Sequence, residues 1–165
     1  MKYSKLRRLI QDGDVALVSG SGLFSVLIRL LTAGTYSHVA VFFWDDNDLF
    51  ISEVREFSGH RITHASVWLD EQLTIGKHVD FGIAPNRVRE IAVAEFIQNR
   101  RNTIKRYAYW MLPVVWLSSI TGIRIGNNSF VCSHYVQKAW GHKGKSLLPS
   151  DFAKLCETLH TITDI

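Results

Sequence analysis

The sequence predicts an α+β fold in which an antiparallel sheet packs against helices. Apolar, β-branched and aromatic runs recur at residues 14–18 (DVALV), 36–43 (YSHVAVFF), 49–54 (LFISEV) and 78–83 (HVDFGI), which is strand character. Helix-period apolar spacing recurs at residues 23–31, 88–109 and 132–140,. Two of the strand runs are separated only by turn-forming residues, so they pair as a hairpin.

With 165 residues, 47% of them apolar, the chain can bury a core as one domain spanning residues 1–165. It has three prolines and no repeat or linker that would mark a second domain. The formal charge is only +4, and the basic residues are scattered over residues 5–8, 99–101 and 143–145. Nucleic acid is therefore not an expected partner, and attraction to an anionic lipid or cell-wall surface is weak. The N-terminus lacks the apolar stretch of a secretory signal, which favours a cytoplasmic setting and two free thiols, Cys132 and Cys156. No apolar run reaches the roughly 18–20 residues of a membrane span. The nearest, residues 108–120 (AYWMLPVVWLSSI), is shorter and contains Pro113; it reads as a buried or interfacial segment, with peripheral membrane contact as one outcome.

Taken in order, the first strand stops at residues 19–22 (SGSG), whose glycines allow a tight turn. That turn lacks the lysine of a phosphate-binding loop and the full dinucleotide fingerprint, so it carries no anion site. A helix follows over residues 23–31 and stops at Ala33-Gly34. The hairpin comes next, with its turn among residues 44–48 (WDDND), and then the strand at 78–83, stopped by Pro85-Asn86. An amphipathic helix with an Arg-rich outer face is expected over 88–109, a helix from Cys132 to about Trp140, a Gly-rich break at 141–144, and a final helix from Pro149 to about Leu159. Phe152, Leu155, Cys156 and Leu159 would form the buried stripe of that last helix, leaving Cys156 an inert packing thiol.

Cys132 stands where an apolar extended run becomes a helix. Positions three, four, seven and eight residues on are Tyr135, Val136, Ala139 and Trp140, an apolar stripe that turns Cys132 toward the core. His134, two residues on, lies about 200° around the helix and is a poor base for the thiol. Cysteine or histidine pairs at zinc-site spacing are missing, so no metal and no cofactor is expected. A thiol in a helix's first turn has another use: unpaired amides and the macrodipole stabilise thiolate, and the same amides can hold an oxyanion. From the local pattern alone, a packed core cysteine and a nucleophile stay open.

A nucleophile needs a base, and His38 inside YSHVAVFF is the candidate, because an unpaired buried imidazole would be costly. The base in turn needs an orienting partner. An even-length hairpin loop such as residues 44–47 sets Glu53 directly opposite His38, whereas a three-residue loop at 46–48 sets Glu56 there; Glu53 lies in the stronger strand.

Residues 13–18 (GDVALV), 36–41 (YSHVAV), Glu53 and residues 130–133 (FVCS) resemble the circularly permuted papain-fold hydrolases of the NlpC-type superfamily, the branch of YiiX-like bacterial proteins and lecithin:retinol acyltransferase. In that branch the histidine strand precedes the cysteine helix, as His38 precedes Cys132. The resemblance covers residues 13 to 140. It implies Cys132 as nucleophile, His38 as general base and acid, Glu53 as the residue orienting His38, and Tyr36 and Ser133 as substrate-binding residues. His134 stands where many relatives carry an acidic residue.

The expected activity is a thiol-dependent hydrolase, an amidase or peptidase acting on a peptide or cell-wall amide through an acyl-enzyme. A lipid acyltransferase or thioesterase of the same fold, with an acyl-lipid substrate, and a non-catalytic binding module are the alternatives.

Overall fold

The computed structural model describes residues 3–55, 59–86, 88, 117, 120, 121 and 131–161. Its described elements are α1 (Tyr3–Leu9), β1 (Val15–Ser19), α2 (Leu23–Thr32), β2 (His38–Asp45), β3 (Asp48–Arg55), β4 (Gly59–His64), α3 (Ala65–Thr74), β5 (His78–Ile83), α4 (Cys132–Ala139), α5 (Pro149–Leu155) and β6 (Thr158–Thr161). The strands form one six-stranded sheet in the order β4-β3-β2-β1-β5-β6, and every neighbouring pair is antiparallel. The fold is α+β, as the sequence predicts.

Side-chain alternation gives the sheet two faces. Val15, Leu17, Val39, Val41 and Val54 pack with Cys132, Tyr135 and Val136 of α4, with Trp140 just after it and with Phe152 of α5. Ala16, Val18, Ala40, Phe42, Leu49 and Ile51 pack with Leu6 of α1 and with Trp68 and Leu69 of α3. Helices cover both faces, so the central strands read as nearly continuous apolar runs rather than alternating ones.

The Gly13-Asp14 pair is a piece of scaffolding. Gly13 takes φ 85°, which a side chain would disfavour. Its N–H donates to the Phe42 carbonyl, and its own carbonyl accepts the Trp140 indole N–H at 2.9 Å. The buried Asp14 carboxylate accepts from the backbone of Gln11 and of Ala84 at 2.8 Å each. These two residues bind the start of β1 to β2, to the end of β5 and to the end of α4.

Several expectations change. The last helix ends at Leu155, not Leu159: Cys156 has extended backbone and the chain turns into β6 beside β5. Leu155 and Leu159 are consequently exposed, while Phe152 and, partly, Cys156 still pack against the core. α2 does stop at Ala33-Gly34, with Ala33 in left-handed conformation at φ 47°. α1, β4 and α3 are additional elements. The expected 88–109 helix and the 108–120 segment fall almost wholly outside the described residues. Among the described residues no helix is long and apolar enough to cross a membrane.

Candidate active site

The hairpin turn is tighter than either loop considered above. Asp45 pairs with Asp48, so the loop is residues 46 and 47, with Asp46 at φ 53° and the Asn47 carbonyl accepting from Arg7 at 2.6 Å. In this register Val41 faces Ser52, which sets Ala40 opposite Glu53 and, continued to the strand end, His38 opposite Arg55. Glu53 is thus the diagonal neighbour of His38 rather than its direct partner. The shift of two residues keeps the same face, and the side chains still meet: His38 Nε2 lies 2.7 Å from Glu53 Oε2. Glu56 lies outside the described residues.

Glu53 is 1% exposed. Burial alone would raise its carboxyl, but hydrogen bonds and charge from His38 and Arg61 outweigh it and hold the group at about 2. Arg61 is its direct cross-strand neighbour on β4 and donates through Nε to Glu53 Oε1 at 2.6 Å. The other guanidinium nitrogens of Arg61 reach Glu71 of α3. Arg55 also reaches Glu71, at 3.3 Å.

His38 is the first residue of β2. Burial pushes its imidazole down, and this is outweighed by the charge and hydrogen bond of Cys132 and by those of Glu53, which raise it from 6.5 to about 9. The ionised carboxylate can only accept, so Nε2–H donates to it and Nδ1 is the nitrogen left to face the thiol,. Cys132 and Glu53 come from opposite layers: Cys132 packs with the α4 face, while Glu53 alternates with Ser52 and Val54 and turns toward α3. His38, at the strand end, meets both.

Cys132 is the first residue of α4, after Val131 in extended conformation (φ −114°, ψ 157°), which gives no side-chain cap. The first intrahelical bond runs from Tyr135 N–H to the Val131 carbonyl, so the Cys132 and Ser133 amides precede the helical ladder. The predicted stripe is in place, with Tyr135, Val136, Ala139 and Trp140 all buried. The start of α4 is further held by Ser52 Oγ, which lies 2.5 Å from the Tyr135 hydroxyl and 2.8 Å from His60 Nε2. Burial, stronger than the opposing Glu53 charge, lowers His60 from its usual range, favouring a neutral ring in this network.

The remaining candidates are placed as follows. Tyr36 is buried in the same cluster as Cys132; its hydroxyl donates to Asp80 at 2.6 Å, and its N–H donates to Ser150 Oγ. Burial and Asp80 together push that phenol well above its usual range. Ser133 is buried beside Cys132 on α4. His134 lies 3.4 Å from Ser146 Oγ. Cys132 and Cys156 are free thiols, and burial, with the charge of Asp14, pushes Cys156 up to about 12.

The sequence reading missed Arg61, Glu71, Ser52 and His60. The one available signal was in residues 59–64 (GHRITH), where two histidines and an arginine interrupt a β-branched run. Among the described residues no group of three His, Cys, Asp or Glu side chains is placed to hold a metal ion.

No protein-family model matches the chain, and no curated protein does. Among solved structures it is similar to the crystal structure of metalloprotein YiiX from Escherichia coli O157:H7, assigned to DUF1105. That similarity has 12% identity, 92% of this chain and 96% of that chain covered, and a TM-score of 0.49.

Proposed function

We propose that the chain is a thiol-dependent hydrolase of the permuted papain-like kind, acting on a peptide or cell-wall amide. The observation that carries this is the position of His38, bonded to the buried Glu53 carboxylate on one side and interacting with Cys132 on the other. A structural core histidine needs one partner; this one has an anion behind it and a thiol in front. His38 holds the proton given up by Cys132 as an imidazolium–thiolate pair, and the sulfur attacks the carbonyl carbon. The oxyanion is received at the amides of the first turn of α4. His38 then gives the proton to the leaving amine, and a water, deprotonated by the same imidazole, releases the acid and regenerates the thiol. Glu53 stabilises the imidazolium without itself taking the proton.

A second reading, transfer or hydrolysis of a lipid acyl group, is favoured by α2. Leu23, Phe24, Leu27, Leu30 and Leu31 are exposed there, while Ile28 is the buried residue of the helix, so α2 presents more apolar surface to solvent than an ordinary amphipathic helix. The helix ends shortly before Tyr36 and His38.

The deciding experiment is intact-mass labelling with an electrophilic acyl probe. The hydrolase reading expects a single adduct at Cys132 that is lost in Cys132→Ala and strongly slowed in His38→Gln. Equal labelling of Cys132 and Cys156, indifferent to His38, would refute it and favour the binding module.

A further inference from the structure

We infer that Arg61 is a positioning residue for this site, keeping the Glu53 carboxylate ionised and directed at His38 from the neighbouring strand. The inference rests on the hydrolase reading above and adds a residue to it.

Glu53 has two oxygens and both are committed. Oε2 meets His38 at 2.7 Å and Oε1 accepts from Arg61 Nε at 2.6 Å. At 1% exposure water cannot stand in for either partner, and a buried carboxylate without a cation takes up a proton instead. The cross-strand pairing of Glu53 with Arg61 makes the contact a product of the ladder rather than of a mobile surface side chain. Arg61 is itself held, because Nη1 and Nη2 donate to the two oxygens of Glu71 on α3, the fork geometry that lysine lacks.

Each charged group facing Glu53 has a definable part. From β2 comes His38, which also senses Cys132 of α4. From β3 comes Arg55, whose Nε is 3.9 Å from Glu53 Oε1, beyond hydrogen-bond reach. From β4 come Arg61 and His60, the latter interacting with Glu53 by charge alone. From α3 comes Glu71, which compensates both guanidiniums. Arg61 is therefore the cation in hydrogen-bonded contact with Glu53 that does not exchange a proton during turnover. Without it Glu53 would protonate at higher pH, and the imidazolium formed when Cys132 loses its proton would lose the charge behind it.

The test is the pH dependence of Cys132 alkylation by iodoacetamide in the full chain, read by peptide mass, alongside melting temperature. Arg61→Met should move the acid limb of the rate profile up by about one pH unit, a roughly tenfold loss on that limb. Arg61→Lys should recover part of the shift. Arg61→Gln, which keeps a donor for Glu53 but not the charge, should shift the limb in the same direction and, with Arg61→Lys, decides the matter if Arg61→Met does not fold. A merely structural arginine would lower the melting temperature and leave the limb in place. If the folded Arg61 variants keep the wild-type limb while His38→Gln loses it, the positioning role falls and the hydrolase reading stands. If His38→Gln also keeps it, both fall.

Discussion

Glu53 follows the last β2–β3 pair, Val41–Ser52, and in that register is the diagonal neighbour of His38, with Oε2 2.7 Å from His38 Nε2. A diagonal pair of this kind spans the wider cross-strand separation, which suits two side chains long enough to meet end to end. The second oxygen of Glu53 goes to Arg61.

Glu53→Gln tests that pair. Gln keeps the shape but removes the charge from His38 and Arg61, so probe labelling of Cys132 should fall by about a hundredfold, a loss of ~2.7 kcal/mol in the transition state. Stability should fall by a comparable ~1.5–3 kcal/mol, because two charge-assisted hydrogen bonds weaken together. Chemical denaturation and labelling rate measured on the same sample check it; labelling at the wild-type rate would remove Glu53 from the site.

Stability should depend on pH through the same pair. His38 is raised from 6.5 to about 9 in the folded chain, so its contribution is complete below pH 6.5 and disappears as pH rises through 9. Glu53 is lowered from 4.5 to about 2, so its contribution is complete above pH 4.5 and disappears as pH falls through 2. Urea midpoints should therefore decline from pH 6.5 to 9, and His38→Gln should flatten that decline. An equally steep decline in His38→Gln would mean that another group is responsible.

Gly82 should resist enlargement. A Cβ there would come 2.4 Å from Cys156 Sγ and 3.0 Å from Val15 Cγ2, so Gly82→Ala should cost ~1–3 kcal/mol. Cys156→Ala alone should be milder, and the double variant should recover part of the loss. Thermal melts of the three variants give the coupling; strict additivity would place the strain at Val15 instead.

The outward leucines of α2 give the acyl-lipid reading its own measurement. Sedimentation with anionic phosphatidylglycerol vesicles should pull down the wild-type chain, and Leu27→Asp with Leu30→Asp should abolish this without unfolding the protein, since both side chains are exposed,. Failure of the wild-type chain to sediment leaves the peptide or cell-wall amide as the substrate class.

The strands and helices with strong periodicity were legible in the sequence, and so was the α4 stripe that turns Cys132 inward. The hairpin register was not, because residues 44–48 (WDDND) can close several loops and composition does not choose among them. The site survived the error: an even shift preserves the face, so Glu53 remained on the same side as His38. β4 escaped notice because its inward positions carry His60 and Arg61, polar groups that serve Ser52 and Glu53 instead of filling a core. α3 is similarly masked by Gln72, a polar residue buried among Trp68 and Leu69. β6 is four residues, Thr158–Thr161, too short to announce a period.

The two-residue turn at 46 and 47 also bears on the order in which the molecule matures. Residues 38 and 53 belong to one short hairpin, whereas Cys132 joins them from far along the chain. Local pairs close quickly and distant ones slowly, and during synthesis the hairpin leaves the ribosome well before the cysteine is made. His38 and its carboxylate partner Glu53 are thus paired ahead of the arrival of Cys132. On the hydrolase proposal, a nascent chain that ends before residue 132 would carry the histidine–carboxylate pair without the sulfur.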